Sequence, residues 1–152
     1  MVEKYRHLYV VIEIEQGKIL PVSKEMIGEA RRLMDKFNQT YSSKEKVVAI
    51  VLGNKIKELS KELIEIGADS VIYCDHPQLE EIRNIIYTKV ICQIAINKDL
   101  GGKIEAEYAE DFRRPRYMFF AADAIGRHLS STVLAGLNSG LASDINQLVI
   151  ED

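Results

Sequence analysis

Two stretches of this chain are apolar almost throughout: Leu8 to Ile14 (LYVVIEI), interrupted only by Glu13, and Val47 to Leu52 (VVAIVL). A strand with one wet face alternates polar and apolar residues. A strand that does not alternate, and is rich in β-branched side chains, has to be covered on both faces. That requirement calls for helices above and below a sheet, and the segments between the apolar runs supply them. Met26, Ile27, Ala30, Leu33, Met34 and Phe37 recur at helical spacing after Pro21-Val22-Ser23, with Ser23 placed to cap the helix. Gly28 sits inside that helix, where a glycine costs about 1 kcal/mol against alanine, and so predicts a point of close packing.

The same alternation continues along the chain. Ile56, Leu59, Leu63 and Ile66 read as a second helix, with Gly67 in the position of a C-terminal cap. Val71 to Cys74 reads as a third strand, and Leu79 to Ile94 as a third helix. Tyr117 to Ala122 reads as a fourth strand, Ile125 to Asn138 as a fourth helix and Ile145 to Ile150 as a fifth strand. Strands alternating with amphipathic helices specify a parallel sheet with right-handed crossovers. The expected fold is therefore α/β: a three-layer, doubly wound parallel sheet of five strands in the order 3-2-1-4-5. One connection is too long for this scheme. The polar stretch Lys98 to Arg116, broken by Gly101-Gly102, reads as an insertion near 98–114 in a single domain, with weak hairpin-like alternation from Lys103 to Tyr108.

Bulk properties narrow the function classes. The chain has 152 residues, 47% of them hydrophobic and 28% charged, which is globular composition. A formal charge of −3 gives no basic footprint for nucleic acid, and Arg113, Arg114 and Arg116 are offset by Glu105, Glu107, Glu110 and Asp111. No apolar run is long enough to span a bilayer, and Met1 to His7 does not resemble a secretory leader. Cys74 and Cys92 form no CxxC pair, and His7, His76 and His128 have no ligand spacing, so neither a disulfide framework nor a metal site is expected. The expected compartment is the cytoplasm.

The segment with most chemical interest is AADAIGRHLSSTVLAGLNSGLASD, Ala121 to Asp144. A strand, a glycine-containing turn and a helix can build an anion site, because the helix N-terminus offers free N–H groups and a positive dipole end. In a doubly wound sheet this turn would face the end of the first strand across the crevice where the strand order reverses. Glu13, Glu15 and Gln16 would then meet Asp123, Ala124, Ile125 and Gly126, with Arg127 and Ser130 as further donors. The acidic groups oppose phosphate, and neither GxxxxGK[ST] nor GxGxxG is present. The competing reading is that Gly126, Ser130, Ala135 and Gly136 serve close helix packing. Asp123, His128, Ser130 and Ser131 could be taken for a triad, but His128 lies on the helix beside Ser131 and Thr132, and no nucleophile elbow is present. His128 reads as a surface residue. Cys74 beside Asp75 is poorly placed as a nucleophile and reads as a core cysteine.

Three motifs in order resemble the N-terminal domain of the electron transfer flavoprotein alpha subunit. They are Glu13 followed by Gly17-Lys18 and GEARRLMDKF (Gly28 to Phe37); Gly67-Ala68-Asp69 followed by Asp75-His76-Pro77; and GRHLSSTVLAGLNSGLASDI (Gly126 to Ile145), similar to the family's GRDLAPRVAARLGTGLTADC. His128 stands where the family has Asp, and Ser130-Ser131 where it has Ala-Pro. The resemblance covers nearly the whole chain outside the stretch around Lys98 to Arg113. It implies an adenine-nucleotide-hydrolase-like fold and a non-enzymatic electron-carrier component, docking beside an FAD site held elsewhere. It also implies a heterodimer with a beta subunit, or else a homo-oligomer, serving flavin dehydrogenases, with no nucleic acid and no membrane insertion. The family's FAD-binding C-terminal domain lies outside these 152 residues, so the crevice of Glu13, Asp123, Gly126, Arg127 and Ser130 is expected to be empty and the chain alone to hold no cofactor. A different reading is a small AMP- or ATP-binding protein of the universal-stress type, for which Asn138-Ser139-Gly140-Leu141 is a poor phosphate loop.

Overall fold

The computed structural model describes residues 5–95, 105–107 and 114–137. In chain order the elements are β1 (Tyr5–Val11), β2 (Ile14–Glu15), β3 (Lys18–Ile19), α1 (Pro21–Tyr41), β4 (Val47–Gly53) and α2 (Leu59–Ile66). Then come β5 (Ser70–Asp75), a 3-10 turn (Pro77–Leu79), α3 (Asn84–Ala95), β6 (Glu105–Glu107), β7 (Arg114–Phe119) and α4 (Ala124–Leu137).

The main sheet runs β6-β5-β4-β1-β7. Its four long strands are parallel, with Leu8 opposite Val47, Ala49 opposite Val71 and Tyr9 opposite Met118. This is the expected order 3-2-1-4. The fifth strand differs from expectation. The described one is β6, which adds antiparallel to the outer edge of β5, with Ile72 opposite Ala106. The alternation noted at Lys103 to Tyr108 therefore belongs to an edge strand pairing with β5. The strand expected at Ile145 to Ile150 lies outside the described residues.

Every residue of β4 is buried, and its two faces feed two separate cores. Val47, Ala49 and Val51 join Leu8, Val10, Ile27, Leu33 and Leu63 under α1 and α2. Val48, Ile50 and Leu52 join Tyr9, Val11, Tyr87, Ile91, Leu129 and Val133 under α3 and α4. Period-2 alternation within a wholly apolar run thus decides which core each side chain enters.

Several boundaries moved, each for a physical reason. The first strand ends at Val11 rather than Ile14, because Ile14 and Ile19 pair in a small separate hairpin. Gln16 and Gly17 turn that hairpin with φ of 51° and 73°, the pattern of a type I′ turn. Helix α1 starts at Pro21, two residues before Ser23, with no side-chain cap. Proline fits the first helical position, where its missing N–H costs nothing. The helix expected from Leu79 begins only at Asn84, after the 3-10 turn. Apolar residues at 79 and 82 kept the helical rhythm without being helical. The last described strand is Arg114–Phe119, ahead of the expected Tyr117 to Ala122. The cap of α2 is as expected: Gly67 donates to Leu63 and Ile64, and the next N–H, of Ala68, reaches back to Leu63.

Gly28 does not mark close packing. It is exposed, and a Cβ built on it would touch nothing within 4 Å. Replacing it should therefore remove only a helix penalty. Gly28→Ala is expected to stabilise the fold by about 0.5–1 kcal/mol and to raise the melting temperature by roughly 2–4 °C. A melting curve followed by circular dichroism checks this, and a drop would mean that Gly28 has a partner or a backbone need that is not visible here.

Candidate functional site

Parallel strands deliver their loops to one end of the sheet, and β1 and β7 are neighbours there. After Val11, Ile12 donates to the Ile50 carbonyl at 2.9 Å, which keeps the chain against β4 for one residue more. Glu13 follows. Its N–H donates to Ser23 Oγ at 2.8 Å, and its carbonyl accepts from Leu20 N–H at 3.0 Å. Ser23 is thus the brace that holds the Glu13 backbone, which the sequence reading missed by assigning it to a cap. Both bonds need the hairpin to fold back over the start of α1, a contact that no local pattern announces.

On the other side of the crevice Asp123 caps α4. Its Oδ1 accepts from Gly126 N–H at 2.8 Å, and its carbonyl accepts from Arg127 N–H at 2.9 Å. This is the N-cap arrangement in which a side-chain carboxylate satisfies the third helical N–H. The helix leaves the strand so tightly that a Cβ on Gly126 would stand 1.9 Å from the Ala121 carbonyl oxygen. Gly126 is thus a close-packing glycine, and its N–H is held by the chain's own Asp123 carboxylate.

Glu13 and Asp123 meet across the crevice. Glu13 is 4% exposed. Burial pushes its carboxyl up to about 8, and Asp123 adds to the rise by hydrogen bonding and by charge repulsion. Asp123 moves the other way. The hydrogen bond from Glu13 holds it below the usual carboxylate range, and the helix N–H groups add to this. The two shifts describe one arrangement: a proton on Glu13 pointed at a carboxylate on Asp123. Apart from that shared proton, neither Glu13 oxygen has a donor among the described residues.

The remaining candidate residues are not drawn into the crevice. Glu15 and Gln16 are exposed in the hairpin. Ser130 is buried, but its Oγ donates to the Arg127 carbonyl at 3.0 Å, and Ser131 Oγ does the same at 2.9 Å. Both hydroxyls are thus used within the helix, and Ser130 does not serve as an outward donor. Arg127 and His128 are exposed, so His128 is a surface residue as read. Asp123, His128 and the serines form no acid–base–nucleophile chain. Cys74 is buried, and its thiol is pushed up by burial and by Asp75, as a core cysteine should be. Cys92 faces α4, where Gly136 leaves it room. Among the described residues no group of three or more His, Cys, Asp or Glu is arranged to hold a metal, and no helix is long and apolar enough to cross a membrane.

The residues of the crevice do not fit a pyrophosphate, whether of FAD or of a nucleotide. The donor that would bind phosphate, Gly126 N–H, is already taken, and the group that takes it is negatively charged.

Two predictions follow from this geometry. A carboxyl whose folded-state value is raised binds its proton more tightly when folded, so its contribution is full at low pH and is lost as pH rises from about 4.5 to about 8. Asp123, lowered, changes state only below this window. Glu13→Gln keeps a donor toward Asp123 and removes the titration. Its melting temperature should match the wild type near pH 5 and exceed it increasingly up to pH 8–9, read by thermal denaturation across pH; parallel curves would refute the raised carboxyl. Gly126→Ala should cost about 3 kcal/mol or more by overpacking against backbone, measured by urea unfolding.

The family model described as the electron transfer flavoprotein domain matches residues 8–152. The electron transfer flavoprotein subunit alpha of Megasphaera elsdenii is 34% identical over 149 residues, which is 98% of this chain and 38% of that protein. Protein FixB of Clostridium saccharobutylicum is 33% identical over 147 residues, 97% of this chain and 37% of that protein. The acryloyl-CoA reductase electron transfer subunit beta of Anaerotignum propionicum is 31% identical over 150 residues, 99% of this chain and 35% of that protein. The chain thus spans little more than a third of the length of these relatives.

Proposed function

Since the chain belongs to the electron transfer flavoprotein domain family, we propose that it is an alpha-subunit-type module: a docking and structural domain that supports electron transfer beside a flavin held elsewhere. The observation that carries this reading is the Asp123 carboxylate on Gly126 N–H. The fold's habitual ligand position is filled by the chain itself, so the domain contributes shape and surface rather than a cofactor. In the assembled protein FAD would supply the electron chemistry. This chain's part would be to present its faces to the flavin-bearing portion, or to a partner of the beta-subunit type or a second copy, and to perform no bond-making step of its own.

The surface supports such a role. Ile85 on α3 is 71% exposed, and Ile82 just before it is 39% exposed. Exposed apolar side chains of this kind, at and just ahead of α3, are suited to contact with a partner. The universal-stress alternative draws no support from the family match, and Asp123 opposes it chemically.

The test is direct. The purified chain should be colourless and should not quench FAD fluorescence on titration, because dipole attraction at one helix end is worth about 1 kcal/mol against the roughly 8 kcal/mol that micromolar binding needs. AMP and ATP should leave its melting temperature unchanged. Yellow protein with near-stoichiometric flavin, or a nucleotide-dependent rise, would overturn the proposal.

A further inference from the structure

We infer that the outer face at the start of α3 is an interface between two copies of this chain. Ile85 lies at its centre, and Glu80 and Glu81 of one copy meet Lys89 of the other. The use of this surface rests on the docking reading above; the choice of occupant does not.

The first observation is apolar exposure that the fold cannot relieve. Ile85 is the most exposed large hydrophobic side chain among the described residues, and Ile82 is exposed beside it. The inward sides of α3 are already in use. Tyr87, Ile91 and Ile94 fill the core under the sheet. Thr88 meets Thr132 of α4 at 2.7 Å, and Asn84 donates to the same hydroxyl. The helix is thus held with Ile85 outward, and covering that side chain takes a second molecule.

The second observation is charge. Glu80, Glu81, Arg83 and Lys89 surround the isoleucines and are all exposed. None of the four makes an ion pair or a side-chain hydrogen bond among the described residues. The opposite helical layer behaves differently. There Arg31 pairs with Asp35 and Asp69, Arg32 with Glu29, and Lys24 with Glu62. The patch on α3 therefore carries two charges of each sign that do not neutralise one another within one copy.

Such a patch is complementary to itself. Glu81 and Lys89 each stand four residues from Ile85, on opposite sides of it. Lys89 is one helical turn beyond Ile85, about 6 Å along the axis. A two-fold axis through Ile85 makes the second α3 antiparallel to the first, so the acidic end of each faces Lys89 of the other, as an isologous contact requires. Other occupants fit less well. An acidic partner, or an anionic surface of lipid or nucleic acid, would set like charge against Glu80 and Glu81, and a basic one would do so against Arg83 and Lys89.

The test is sedimentation velocity of the full chain over a range of concentrations. A reversible monomer–dimer equilibrium is expected. Ile85→Ser removes two buried side chains per dimer and should raise the dissociation constant by roughly a hundredfold. Its melting temperature in dilute solution should stay that of the wild type, because the side chain is exposed in the monomer. Glu81→Lys and Lys89→Glu should each weaken the dimer by about tenfold, since each change acts twice across the axis. Mixed together, these two variants should dimerise with each other, because every contact again joins opposite charges. A chain that stays monomeric at all concentrations, a dimer indifferent to Ile85→Ser, or charge variants that do not recover on mixing would each overturn the inference. A monomer that still docks to a beta-type subunit would overturn it while leaving the docking role intact.

Discussion

The burial of β1 and β4 on both faces is the constraint from which the rest of this structure follows. A run apolar at every position, such as Leu8 to Val11 or Val47 to Leu52, has no face to give to water, so each face must be covered by its own helices. The two cores that result draw on alternate residues of the same strands. Parallel pairing, crossover helices and the collection of loops at one end of the strands are all consequences. The site is where it is because β1 and β7 deliver their carboxyl ends side by side.

The same burial sets the chemistry of that end. Glu13 is the first charged residue after β1, and the hairpin and α1 close over it before it reaches solvent. With no donor to hold it as an anion among the described residues, its carboxyl keeps a proton, and Asp123 accepts it. Asp123 in turn can stay ionised because a helix N-terminus faces it. A position that this architecture often gives to a ligand's phosphate is thereby occupied from within.

A contrasting carboxylate lies at the other end of the sheet. Glu45 is as buried as Glu13, yet it is held below the usual carboxylate range despite burial, because His7 N–H donates to it at 2.5 Å and Arg6 at 3.0 Å. Two glutamates of equal exposure thus hold opposite protonation states at neutral pH, and the difference lies in which donors and charges reach them.

Much of the fold could be read in advance, since hydrophobic period is a local property carried by neighbouring residues. It determined the α/β class, the order of the four long strands, the helices α1, α2 and α4, the Gln16-Gly17 turn and the capping glycine at 67. The pairing of Glu13 with Asp123 was also within reach, because strand order alone brings those two loops together. What only the tertiary structure decided were matters of distance between segments far apart in the chain. Ser23 braces Glu13 rather than capping a helix; Gly126 is required by the Ala121 carbonyl while Gly28 is required by nothing; β6 joins the sheet antiparallel; and Glu13 is a proton donor while Glu45 is an anion. Periodicity says which side of an element is buried, but the state of a buried polar group depends on the donors and charges that packing brings within about 3 Å of it, and those come from elsewhere in the sequence.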